Sequence, residues 1–207
     1  MEEQKNNTNN EQKKGKGILI AIIVIILIAI IGVGIVFALK LGKPKSNITI
    51  SSTDDMQNLI NSVYEGQADT LPPTLNTQIV DINNADVLKS FTGLTSNENI
   101  DAVVVSEPMI GSQAYSFVLV KVKDGADADS VAKQMSENID TRKWLCVEAE
   151  KLYATSVDNL AVLVMSSDEW ATPVYNKLKE VLGAYNEEYV KENNTTEFDQ
   201  SVEEMVY

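Results

Sequence analysis

The sequence predicts an α+β domain behind a single transmembrane helix, with a mostly antiparallel sheet of about four strands and helices packed on one face. Three observations carry this reading. Ile18 to Leu39 is an uninterrupted apolar run of 22 residues. "DAVVVSEPM" with "YSFVLVKVK", and "KLYATSV" with "LAVLVMS", are two pairs of apolar segments rich in β-branched and aromatic residues. Each pair is followed by an acidic turn and a segment of helical periodicity. The order strand–strand–helix is thus given twice, and "FVLVKVKDGADADSVAKQM" and "AVLVMSSDEWATPVYNKLKEV" read as degenerate counterparts of one unit.

Taken in order, residues 1–17 form a polar, Asn/Gln-rich tail with the composition of disordered chains. Residues 18–41 are the anchor: at about 1.5 Å per residue the apolar run spans roughly 33 Å, the thickness of a hydrocarbon core. No A-x-A-like cleavage site and no lipidation cysteine follows it. Lys13, Lys14 and Lys16 on one side balance Lys40, Lys43 and Lys45 on the other. Flanking charge therefore leaves the orientation tied, and the expectation of a cytoplasmic N-terminus and an extracytoplasmic domain rests on the signal-anchor arrangement. Residues 42–50 are a linker containing Pro44.

The folded part is expected over residues 51–186. Thr53-Asp54-Asp55 starts a helix whose apolar face is Met56, Leu59, Ile60, Val63 and Tyr64. Leu71-Pro72-Pro73 breaks the chain, and a short helix follows at Ala85–Phe91 between Asn84 and Gly93. The first strand pair is joined by a loop containing Gly111-Ser112. In its second strand Val118, Val120 and Val122 share one face, and Tyr115, Phe117 and Leu119 the other. A helix from Asp127 to Trp144 carries Val131, Met135 and Ile139 in one stripe. Asp158-Asn159 suits a tight hairpin turn in the second strand pair. The last helix starts near Asp168 or Thr172-Pro173 and buries Val174, Leu178, Val181, Leu182 and Tyr185, and residues 187–207 are a polar acidic tail.

Composition removes most chemistries. The chain has no histidine and one cysteine, Cys146. Histidine-based nucleophile activation, zinc–thiolate clusters and intrachain disulfides are thereby excluded, and Cys146 is expected to be a buried thiol. Of 17 basic and 30 acidic residues, residues 1–45 hold seven and three, so residues 46–207 carry 10 and 27, a net charge of −17. Such a domain repels phosphate backbones and anionic lipid, so no nucleic acid is expected as a partner. There is no Gly-rich phosphate loop, G-x-S-x-G or C-x-x-C, and no cofactor is implied.

The "KVKDGADADSVAKQ" stretch tests as a calcium loop and fails. From Asp124, positions 3, 5 and 12 are Ala126, Ala128 and Met135; from Asp127, positions 6 and 12 are Ala132 and Asn138. It reads instead as a strand exit at Gly125 and a helix cap at Asp127. The remaining candidate is "RKWLCVEAEK". Trp144, with Arg142 and Lys143, is either a tryptophan packing the helix end against the sheet or the anchor of a partner-binding surface. The alternative of an envelope glycan enzyme would need a carboxylate pair such as Glu107 with Asp124 or Asp168. A signalling subunit would have to work through a partner, because 17 residues of tail are too few for an effector domain.

"SFVLVKVKDGADADSVAKQM", "RKWLCVEAEK" and "NLAVLVMSS" together resemble the domain of unknown function 4358, an uncharacterised family of Gram-positive membrane-anchored or lipoprotein domains, over about Ser51 to Tyr185. The chain departs from that family where many members carry an acidic pair before the strong strand and this one has Ala114-Tyr115; the lipobox cysteine is also missing. The resemblance implies a cell-envelope location and lends no catalytic residue. The function expected is a non-enzymatic interaction or ligand-binding module, with the lipid bilayer as partner through residues 18–41 and an envelope protein or small ligand as the domain's partner.

Overall fold

The structure, a computed structural model, describes residues 46–193. The expected tail (1–17), anchor (18–41), start of the linker and residues 194–207 lie outside the described residues. No helix among the described residues is long and apolar enough to cross a membrane.

The chain folds as α1 (Thr53–Tyr64), a 3-10 turn (Ala68–Thr70), β1 (Leu75–Ile79), α2 (Ala85–Thr92), β2 (Ile100–Pro108), β3 (Tyr115–Val122), α3 (Ala128–Asn138), β4 (Lys151–Val157), β5 (Leu160–Ser166), α4 (Asp168–Leu182) and β6 (Tyr189–Glu192). The strands form one antiparallel sheet in the order β1-β2-β3-β5-β4-β6.

The helix starts follow from local hydrogen bonding. Ser52 caps α1 and Asp55 returns the bond to the cap, a reciprocal box that satisfies two free amides. Asn84 accepts from Asp86 and Val87 at the start of α2, and Gly93 ends it at φ 75°. Asp127 accepts from the amide of Asp129 at the start of α3, so the acidic stretch caps a helix as its spacing predicts.

Helices cover both faces of the sheet rather than one. Leu88, Val131, Ala132 and Met135 pack on Val103, Val105, Val118, Val120, Leu163 and Met165, so α2 and α3 lie on the first face. Met56, Ile60, Val63, Val174, Leu178 and Leu182 pack on Val104, Phe117, Leu119, Val162 and Val164, so α1 and α4 lie on the second. Apolar residues on both faces of β3 and β5 require this: seven of eight positions in β3 and all seven in β5 are buried.

The sheet also has six strands rather than about four. β1 and β6 are its edges, and β6 falls in the segment that composition assigns to a polar tail. The repeated strand–strand–helix order is not a structural repeat. Carrying β2-β3-α3 onto β4-β5-α4 would exchange strand order, reverse direction and change face together, which is a mirror operation and no rotation.

One end of the sheet gathers the candidate residues. The β2–β3 connection (109–114), the α3–β4 connection (139–150) and the end of β6 meet there. The chain enters at the opposite end, where the Asn47 amide donates to Leu182 O at 3.2 Å and the Asn159 side chain to Ile50 O at 3.0 Å. Strands of seven to nine residues separate the two ends by roughly 25 Å.

Candidate interaction site

The site begins with where α3 stops. The apolar stripe runs on through Ile139 toward Trp144, but the helix ends at Asn138 and Ile139 is extended at ψ 138°. The Asp140 carboxylate then accepts from the Arg142 amide at 2.9 Å, a local turn that competes with further helix. Arg142, Lys143 and Trp144 therefore sit on a loop. Its neck is closed by the Ala149 amide donating to Thr141 O at 2.9 Å.

Lys143 turns inward. Its ammonium lies 2.5 Å from Glu107 Oε1 on β2, with only 11% of the lysine and 17% of the glutamate side chain exposed. It also donates to Ser90 O at 3.3 Å and lies 5.1 Å from the Phe91 ring centroid and 5.3 Å from that of Trp144. Ser116, opposite Glu107 on β3, donates to the same Oε1 at 2.6 Å. Burial lowers the Lys143 pKa, and the Glu107 charge opposes that shift. Trp144 is half-buried against the first-face core, while Arg142 is exposed and 3.5 Å from Glu148.

Three large apolar side chains are exposed on the two loops beside this buried cluster. Met109 is 78% exposed, Ile110 52% and Leu145 73%. The two loops that carry them are joined by the Leu145 amide donating to Gly111 O at 2.9 Å. Cys146 beside them is exposed at φ 62°, contrary to the buried thiol expected from composition. Met109 was legible only as the last residue of a strand and Ile110 as an apolar residue just before Gly111, while Leu145 stood only inside the "RKWLCVEAEK" segment, one residue past the expected helix end.

The carboxylates of the enzymatic alternative do not converge. Asp124 follows the far end of β3. Glu107 is held by Lys143 and Ser116 on the first face. Asp168 starts α4 on the second face, bonded to Thr172 Oγ1 at 2.5 Å and Lys151 Nζ at 3.1 Å. The Thr172 and Lys151 bonds lower its pKa, which suits a structural anion and not a general acid. Among the described residues no three metal-ligating side chains come together.

No protein-family model matches the chain, and no curated protein or solved structure matches it either.

Proposed function

We propose that the protein is an interaction module of the bacterial cell envelope, tethered through residues 18–41 and presenting the Met109–Ile110–Leu145 tip to a protein partner. The observation that carries this reading is the tip itself: three large apolar side chains exposed on two loops, which an inter-loop hydrogen bond joins to each other and a buried ion pair joins to β2. A preorganised apolar centre with Trp and Arg beside it is the composition of a binding hot spot. The tip lies at the end of the sheet opposite Ser46, where the described residues begin. With 10 basic and 27 acidic residues over 46–207, the domain steers a basic counter-surface in preference to anionic lipid. The resemblance to the domain of unknown function 4358 supports the envelope location.

The test uses the full chain in membranes and the variant Met109→Ser/Ile110→Ser/Leu145→Ser. Affinity capture from the native envelope is expected to retain a discrete partner with wild type and to lose it with the variant, at unchanged thermal stability. Capture that is indifferent to all three substitutions rejects the tip as the working surface.

A further inference from the structure

The tip loop is fastened by Asn193, the residue that directly follows β6. The Asn193 side-chain amide donates to Thr141 Oγ1 at 2.9 Å and to Ala149 O at 2.7 Å. Its backbone amide donates to Glu150 O at 2.8 Å. Asn193 therefore grips both sides of the neck whose closure places Arg142 to Glu148. The strand that delivers it, β6, has only four residues, three of them exposed. β6 is held to β4 by its ladder and by the Lys151–Glu192 ion pair at 3.3 Å. It is held to the first turn of α3 by the Tyr189 hydroxyl donating to Asp129 Oδ2 at 2.8 Å.

We infer that β6 is a clamp on the interaction tip, with Asn193 as the positioning residue: the docked strand fixes the 141–149 neck, and displacing it releases the loop that carries Leu145. The chemistry of the joint favours this. A side-chain amide supplies two donors in one plane, one for each side of the neck, and among the described residues β6 is an edge strand paired on one side only. The rest of the sheet does not depend on β6, because the core strands β2, β3 and β5 pair among themselves. Any partner that pulls on, or pairs with, β6 thus acts on the tip. The functional meaning of the clamp rests on the interaction reading above, whereas the clamp itself does not.

The experiment is amide hydrogen exchange on the full chain in nanodiscs, comparing wild type, Asn193→Ala and Thr141→Val. In Asn193→Ala the Leu145 and Ala149 amides are expected to exchange about tenfold faster or more, with β3 and β5 amides unchanged. Thr141→Val, which removes one acceptor and keeps the side-chain shape, should give a smaller increase at the same two amides. Unchanged exchange at Leu145 and Ala149 in both variants overturns the clamp. Capture already absent in wild type would remove the interaction reading and leave the clamp standing on the exchange data. Where wild type captures a partner, Asn193→Ala should reduce capture, and undiminished capture with faster exchange would overturn the coupling of clamp to binding.

Discussion

Lys143 and Glu107 show what a pair of buried charges does at the edge of a core. Each is desolvated, and each has little but the other, Ser116 and Ser90 O to replace water. Removing one member leaves the other nearly buried and uncompensated, so Lys143→Met is expected to cost about 3 kcal/mol in urea unfolding. Lys143→Met/Glu107→Met, which replaces the pair by apolar volume, should recover most of that loss. A double variant no more stable than the single would contradict the account. Asp55 is a second local case. The hydroxyl of Ser51, then the amides of Ser51 and Ser52, lower its pKa to about 2 from 3.8. A depressed carboxyl stabilises the fold above its unfolded value and loses that contribution as pH falls through the folded one. The melting-temperature difference between wild type and Asp55→Asn should accordingly be constant above pH 5 and shrink between pH 4 and about pH 2. Lys143 was singled out by sequence for its place beside Trp144, but its counterion is 36 residues away, a separation that only the fold closes.

The helix ends state their own energetics. Ser52→Ala removes the cap of α1 and is expected to lower stability by about 1 kcal/mol. Gly93 and Gly125 separate conformational strain from crowding. Both have positive φ, yet a Cβ at Gly93 would lie 2.5 Å from the Ile139 amide nitrogen, while one at Gly125 meets nothing within 4 Å. Alanine at Gly125 should cost about 1 kcal/mol, and alanine at Gly93 about 2 kcal/mol or more, because backbone cannot yield as a side-chain tip does. Equal melting temperatures for the two variants would refute that distinction. These caps and turns were legible because capping residues act within three positions of sequence. β1 and β6 were not: "LNTQI" has only two apolar residues, four positions apart, and "YVKE" has no apolar alternation, and they are strands because β2 and β4 offer them edges. The end of α3 was hidden because its apolar stripe continues past Ile139, while the competing turn at Asp140 is a three-residue feature.

Across the whole molecule, the α+β class and the two central hairpins were readable from strand-length apolar runs. Coverage of both faces was also encoded, since β3 and β5 bury successive residues instead of alternating with solvent. The repeat was misleading because a strand–turn–helix pattern records the order of elements and not the face to which the helix turns. The tip arises at this scale alone. Met109, Ile110 and Leu145 belong to loops that are 30 or so residues apart and become one surface through the sheet order that brings β2 beside β3 and α3 beneath both. The proposed envelope role requires that the domain lie outside the cell. Protease added to intact protoplasts is therefore expected to digest residues 46–207, and protection of that region would reverse the topology. The most direct measurement places a photoreactive amino acid at Leu145, and as a control at Asp124 on the opposite end of the sheet, in the full chain expressed in its native envelope. The account predicts a discrete protein adduct from position 145 that Met109→Ser/Ile110→Ser abolishes, and none from position 124; equal adducts from both ends, or none from position 145, would contradict it.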